Sequence, residues 1–405
     1  MKLGIDQIQK FFQKLSGKKI GILCHGASVN SKYQHLLKLL EETKRGPILS
    51  ALFGPEHGLW GVAQDMEAVA DCTLPSPVSS PQGGGKSVPI HSLYGNELKS
   101  LQPKFEWMEG LDAVICDLQD VGARYYTFVY TIAFVMKACA AKGIPLYVLD
   151  RPNPLGGETV EGNLIEAGFE SFVGAFPITN RHGMTVGELC QMFNREDPVL
   201  RGNDKAADLR IVRLKDWKRK HYLDDTDAAW VLPSPNMPTL DTALVYPGMC
   251  LIEATEISEG RGTTKPFEIF GAPFIDPQKL KNYLDQKFKL PGVFFRPLYF
   301  KPTFQKHAHE VCGGLQLHVT HRKKFRPYLT GLAIVKALQD LYPKDFQWRE
   351  KPYEFVKDIP AIDLLTGSAQ FRLALEKGKS WKDILGFYEK GKEKFLKQRK
   401  EYLLY

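Results

Sequence analysis

The stretch KKIGILCHGAS, residues 18–28, decides the fold class. Ile20 to Cys24 is a short apolar run that breaks into a loop of small residues, as a buried strand does where it meets a shaped loop. Ahead of it, Asp6 is placed to cap a helix through Leu15, with Gly17 as its stop; behind it, a helix is expected from about Tyr33 to Lys44. The unit then recurs. Ile48 to Phe53 runs into GPEHG (54–58), Ala113 to Cys116 runs into DLQDVGAR (117–124), and Leu146 to Leu149 runs into DRPNP (150–154). The alanine-rich YYTFVYTIAFVMKACAAKG (125–143) predicts a helix between the last two, TVGE (185–188) fits a capping box, and Ile211 to Leu214 predicts another strand. Short apolar strands alternating with helices predict an α/β protein with a doubly wound, mostly parallel sheet. Ligands bind outside the carboxyl ends of such strands. The unusual polar segments CHGAS, GPEHG, DLQDVGAR and DRPNP all fall there.

The chain has 405 residues, which predicts two to three domains, and a texture change near residue 240 divides it into 1–240 and a smaller 241–405. In the second part Phe294 to Phe300 and Gly314 to Thr320 read as strands. Helices are expected over Gly331 to Leu341, around Ile362 and in the tail, an α+β pattern. Hydrophobic residues at 43% and charged residues at 25% exclude a disordered chain. The longest apolar run, Thr127 to Met136, is too short to cross a bilayer. MKLGIDQIQKFF lacks the basic and apolar regions of a signal peptide, so a cytoplasmic address is expected, or export if a leader has been trimmed. Seven cysteines with no CxxC pair are expected as buried free thiols. The net charge of +8 owes +4 to the window 374–405, whose lysines read as a solvated helix face; no nucleic-acid partner is expected. Residues 66–92 are a Pro/Gly/Ser-rich insertion expected as a long loop. Its GGGKS (83–87) is not a phosphate-binding loop, because Ser80 stands where that pattern needs glycine.

Glu56 and His57, held between Pro55 and Gly58 at the tip of the second strand, pair a carboxyl with an imidazole in a fixed geometry suited to acid–base work. Asp117, Asp120 and Arg124 follow the third strand; Asp120 also reads as a helix cap, and Arg124 as a fork for an anion. Asp150, Arg151 and Asn153 follow the fourth strand, where the Asp–Arg pair is equally a local salt bridge. Arg181 and His182 precede the Thr185 cap. Glu253, Glu256, Glu259 and Arg261 lie in EATEISEGRGT (253–263), expected to be exposed for substrate contact or simply solvated. His307, His309, His318 and His321 read as ordinary histidines, and no zinc spacing is present. There is no GxSxG around Ser28 or elsewhere.

Taken together, FGPEHGLWG (53–61), HSLYG (91–95), DLQDVGARYYTF (117–128), DRPNPLGG (150–157), RHGMTVGEL (181–189), PSPNMPT (233–239), YPGMCLIEATEISEGRGTTKPFEIFGAP (246–273) and CGGLQLHVT (312–320) resemble the exo-β-N-acetylmuramidase family of glycoside hydrolases. Ala254 stands where the family pattern has glycine, and His321 where it has aspartate. The resemblance implies a Rossmann-like catalytic domain without a nucleotide or metal cofactor, and a smaller C-terminal domain contributing to the cleft. It implies release of N-acetylmuramic acid (MurNAc) from the non-reducing end of peptidoglycan fragments, such as MurNAc–GlcNAc and muropeptides, with Glu56 as general acid. Glycoside hydrolysis needs a second group, expected to be Asp117 or Asp120, as a carboxylate partner or to orient the 2-acetamido group. Arg124, Arg151, Arg181 and Arg261 are the expected holders of the lactyl carboxylate. Trp60, Tyr125 and Tyr126 are expected against sugar faces, and His57, Asp150, Asn153, His182, Asn236 and Glu259 complete the expected substrate contacts. Two other readings compete: a metal-dependent hydrolase built on His57, Asp117, Asp150 and His182, and a muropeptide-binding protein without catalysis.

Overall fold

The computed structural model describes residues 1–73, 87–197 and 205–405. Its main sheet has seven strands: β1 (Lys19–Cys24), β2 (Ile48–Gly54), β3 (Cys72–Thr73), β4 (Pro89–Ser92), β5 (Ala113–Asp117), β6 (Leu146–Leu149) and β7 (Leu209–Val212). The spatial order is β3-β4-β2-β1-β5-β6-β7, parallel throughout except for the β3–β4 pair. The chain therefore winds outward in both directions from β1 and β5, the doubly wound order of Rossmann-like sheets. Every residue of β5 and β6 is buried, as strands covered on both faces must be.

Helices α1 (Ile8–Lys14) and α2 (Leu36–Glu41) cover one face, where Ile20, Ile22, Ile115 and Leu149 pack with Ile8, Phe12 and Leu36. Helices α3 (Phe128–Lys142) and α4 (Val186–Glu196) cover the other, over Leu23, Val114, Cys116 and Val148. That second core continues without a break into the C-terminal elements. These are α5 (Leu240–Met249), β8 (Ile269–Ala272), α6 (Pro277–Lys287), β9 (Val293–Phe300), β10 (Cys312–Val319), α7 (Pro327–Leu341) and the short helices α8 (Ala361–Thr366), α9 (Gln370–Glu376), α10 (Trp381–Tyr388) and α11 (Lys392–Lys400). The three strands form an antiparallel sheet in the order β8-β10-β9, and α5 packs on α7.

Several boundaries differ from expectation for local reasons. The helix expected from Tyr33 is confined to Leu36–Glu41, because Asn30 Oδ1 takes the amides of Lys32 and Gln34 and His35 caps the helix instead. Strand β7 ends at Val212; the Leu214 amide turns away to the Tyr405 hydroxyl. The helix expected from Tyr125 begins at Phe128, after a turn closed by the Tyr126 amide on the Ala123 carbonyl. The ends of the 66–92 insertion supply β3 and β4. Its middle, including all of GGGKS but Ser87, lies outside the described residues. All seven cysteines are free, and only Cys72 is exposed. Among the described residues no helix is long and apolar enough to cross a membrane.

Candidate active site

Strand β2 delivers Glu56 to a cleft of about 460 Å³, counted with its open mouth. The turn is stiff. His57 and Gly58 both have left-handed backbone (φ 69° and 79°), and the Gly58 amide closes on the Pro55 carbonyl at 2.9 Å. A left-handed histidine is a strained position, the kind retained where side-chain placement matters. The His57 ring is tied back to the Ala63 carbonyl (2.9 Å). Glu56 is 5% exposed and faces the cavity. At the start of α3 the Thr127 hydroxyl donates to its Oε2 at 2.6 Å, which leaves Oε1 as the oxygen able to carry a proton.

Two other carboxyls converge on Glu56. One oxygen each from Glu56, Asp65 and Glu354 lie within 4.8 Å of one another. Glu354 arrives on a tight hairpin, with Tyr353 and Val356 exchanging both backbone hydrogen bonds across Glu354 and Phe355. Both tip residues are left-handed (φ 45° and 69°). Such turns favour Asn-Gly; a Glu-Phe pair there is conformationally costly and turns a carboxyl into the cleft. Among the described residues the Tyr94 hydroxyl donates to it (3.1 Å).

A cationic post stands beside this group. Arg261 sits between Gly260 and Gly262, both left-handed, where an added Cβ would strike backbone carbonyls at 2.6 Å, so the tight GRG turn fixes it. Its guanidinium contacts Glu253 (2.6 Å), Asp65 (3.1 Å) and Glu259 (3.2 Å) and stacks on Phe267. Lys306 closes on the other Glu259 oxygen at 2.8 Å, and the Tyr353 hydroxyl donates to Glu253 at 2.6 Å. Five carboxyls thus meet two cations. Burial and then the charges of Glu56 and Asp65 push Glu354 well above the usual carboxyl range. Burial also raises Asp65 and Glu253, against the pull of Arg261. Glu259, buried as deeply, ends low because Lys306 and Arg261 prevail. Two carboxylates 4.8 Å apart repel by about 3.5 kcal/mol at an effective dielectric of about 20, which opposes ionisation of the whole trio.

The remaining expected residues divide. His57, Tyr125, Tyr126, Asn236 and Arg261 line the cleft. The Tyr125 hydroxyl is bound to the Pro247 carbonyl, whereas the Tyr126 hydroxyl is buried beside Ser234. Trp60 is 56% exposed on an apolar recess that shares His57 with the cleft. EATEISEGRGT is not the exposed loop expected: Glu253, Glu259 and Arg261 are buried, and only Glu256 faces solvent.

The other expected residues do not line this cleft. Asp117 and Arg151 form a fully buried two-bond pair (2.5 and 2.7 Å) behind the strand ends. Asp120 accepts the Gly122 amide, closing its own turn rather than capping a helix, and lies 3.4 Å from His182 Nε2. Arg124, completely buried, donates to the carbonyls of Asn163, Ile178 and Leu365 and staples distant segments together. Arg181 donates to the Leu155 carbonyl. Asp150 takes the Thr185 hydroxyl and the Gly187 amide at the head of α4, and Asn153 bonds the Met184 carbonyl and the Leu155 amide. His57, Asp117, Asp150 and His182 do not converge; among the described residues the acidic trio around Glu56 is the group with metal-ligand spacing. Asp65, Glu354 and Tyr353 are cleft groups that sequence reading passed over, as is Lys306, which pairs with Glu259.

Comparison with known proteins agrees with this architecture. The family described as exo-beta-N-acetylmuramidase NamZ matches through its N-terminal region over residues 20–241 and its C-terminal region over 244–405. The peptidoglycan beta-N-acetylmuramidase NamZ of Bacillus subtilis (strain 168) is 45% identical, covering 100% of this chain and 91% of that protein. Crystal structures of two DUF1343 family proteins from Bacteroides fragilis NCTC 9343 superpose with TM-scores of 0.85 and 0.73, at 30% and 28% identity. Each comparison covers 100% of this chain and 98% of the other. The chain belongs to the exo-β-N-acetylmuramidase family.

Proposed function

We propose that this protein is an exo-acting glycoside hydrolase that removes non-reducing-terminal, β-1,4-linked MurNAc from peptidoglycan fragments, with Glu56 as its general acid. The observation that carries the assignment is the convergence of Glu56, Asp65 and Glu354 within 4.8 Å in one cleft. Carboxyls that cannot all ionise retain a transferable proton, which cleavage of a glycosidic bond requires for the leaving oxygen. The 45% identity to a peptidoglycan beta-N-acetylmuramidase supports the substrate class.

In this reading Thr127 holds Oε2 of Glu56, and Oε1 passes its proton to the departing GlcNAc oxygen. Asp65, 3.1 Å from the Arg261 guanidinium, is the ionised partner that faces the developing oxocarbenium charge. Glu354, whose hydrogen-bond donor among the described residues is a hydroxyl, holds its proton and limits the repulsion on Glu56. Trp60, exposed on the recess that shares His57 with the cleft, offers a face to the leaving sugar. Asp117 and Asp120 act by shaping the strand-end loops. Three such oxygens could also hold a divalent cation, but the guanidinium beside Asp65 already places fixed positive charge there. The test is incubation with MurNAc–GlcNAc and with the GlcNAc–MurNAc isomer, each with and without EDTA. MurNAc is expected from the first alone, at a rate indifferent to the chelator. Cleavage of neither, or of the isomer, refutes the assignment; loss of activity in EDTA transfers the trio to a metal.

A further inference from the structure

We infer that Arg349 is the specificity residue that grips the lactyl carboxylate of the terminal sugar; the inference rests on the muramidase reading and names the group that reads its substrate. A substrate acid entering this cleft meets a surplus of carboxyls, so a cation with charge to spare must stand near its mouth. The arginines that sequence reading suggested do not provide one. Arg124 and Arg181 are turned onto backbone carbonyls, Arg151 is closed on Asp117, and Arg261 is divided among three carboxyls.

Arg349 differs on each point. It forms no ion pair among the described residues and is only partly buried. Its backbone is pinned, with the Arg349 amide on the Ala254 carbonyl at 2.9 Å and Trp348 bridged to Thr255. The guanidinium lies 5.5 Å over the ring of Tyr353, a residue of the cleft wall, and Nη2 reaches the sulfur of Met66, next to Asp65, at 3.6 Å. Its contacts to the Lys351 and Pro352 carbonyls are long, 3.4 Å each, and leave the fork free to rotate onto a better acceptor. A stacked, pre-oriented guanidinium without a carboxylate partner is the arrangement that recognises a planar acid through two parallel hydrogen bonds. Arg349 also borders a second open groove, with Lys351 and Lys357. It thus lines that groove and meets the wall of the cleft through Tyr353, beside the segment that carries Asp65.

The experiment compares wild type with Arg349→Ala and Arg349→Lys on MurNAc–GlcNAc and on the same disaccharide with its lactyl acid converted to the methylamide. In parallel, calorimetry measures binding of free MurNAc against GlcNAc. Loss of one charge-assisted pair predicts that Arg349→Ala raises KM for the acid roughly 10- to 100-fold with kcat little changed. The amide's KM should be nearly the same in the two proteins, and Arg349→Lys should recover part of the acid preference. Calorimetry should show wild type favouring MurNAc and the alanine variant losing that preference. An unchanged KM for the acid, or an equal loss on acid and amide, overturns the inference. So does a wild type that binds GlcNAc as well as MurNAc. Failure of wild type to cleave either disaccharide refutes the muramidase reading instead, and the calorimetric comparison still decides the role of Arg349.

Discussion

Glu56→Gln should produce an enzyme that is nearly inactive and, at alkaline pH, more stable than the parent. The side chain keeps its shape and still accepts from Thr127, so what is removed is the transferable proton and one negative charge. Loss of a positioned general acid lowers turnover of MurNAc–GlcNAc by about 10²- to 10⁴-fold. Loss of the charge relieves repulsion of about 3.5 kcal/mol per fully ionised neighbour at 4.8 Å. Partial protonation already relieves some of it, so a net gain of about 1–3 kcal/mol is expected near pH 8. The sign follows from linkage. Glu354 and Asp65 have folded pKa values above their unfolded ones, so between those values the native state binds more protons than the unfolded chain. Native stability therefore falls as pH rises through the folded values, and the substitution returns stability there while doing little near pH 4. Urea midpoints at both pH values read the stability arm. The catalytic arm uses MurNAc–GlcNAc beside a nitrophenyl β-MurNAc, whose leaving group needs no proton; the variant should recover most of its rate on the aryl substrate. Turnover of the disaccharide within about fivefold of wild type refutes the acid assignment. A variant less stable than wild type at pH 8 refutes the electrostatic conflict.

Carboxyl spacing also predicts stereochemistry. Oxygens within 4.8 Å of Glu56 resemble the spacing of retaining enzymes, about 5 Å, and fall short of what a sugar carbon and an attacking water need together, so proton NMR in the first minutes should show β-MurNAc; α-MurNAc as first product contradicts it. His25 should make the fold acid-sensitive. Burial, assisted by Arg151, pushes its pKa from 6.5 down to about 3, so the unfolded chain takes up a proton that the native state refuses as pH falls below 6.5. Between pH 7 and pH 5 this removes about 2 kcal/mol of stability, and His25→Gln should flatten that slope in urea titrations; equal slopes in both proteins count against it.

What the sequence displayed was the centre of the sheet. β1, β2, β5 and β6 are apolar on both faces and end in abrupt polar turns, so they read without neighbours. β3 and β4 were hidden in the Pro/Gly/Ser-rich insertion because a two-residue edge strand, and a four-residue strand whose sequence is Pro-Ile-His-Ser, carry too little apolar pattern. Glu56 was legible because Pro55 and Gly58 punctuate it at a strand end. Asp117 and Arg151 sent the same signal with a different meaning: their charges close on each other at 2.5 Å, and composition does not distinguish a paired charge from an available one. Glu354 was invisible for the opposite reason. KPYEFVKD (351–358) contains no glycine or asparagine, so nothing marks the left-handed tip that carries it. Asp65 lies nine residues beyond Glu56 in a segment without periodicity, and only the folded loop returns it to the cleft.

The separation of the acidic groups along the chain has a chemical consequence. The sheet-bearing half supplies Glu56 and Asp65, whereas Glu253, Glu259, Glu354 and both cations come from the other side of residue 240. Glu56 by itself, at the head of α3 and bonded to the Thr127 hydroxyl, brings a single carboxyl to the cleft. The hairpin from the other side brings Glu354 against it, where burial and the charges of Glu56 and Asp65 push the Glu354 carboxyl up, while Lys306 and Arg261 hold Glu259 low. The second unit thus does more than wall the cleft. It supplies Glu354, the carboxyl that burial and its neighbours push well up, and across both units the five carboxyls outnumber the two cations, which is in turn the reason a free arginine is needed where an acidic sugar enters.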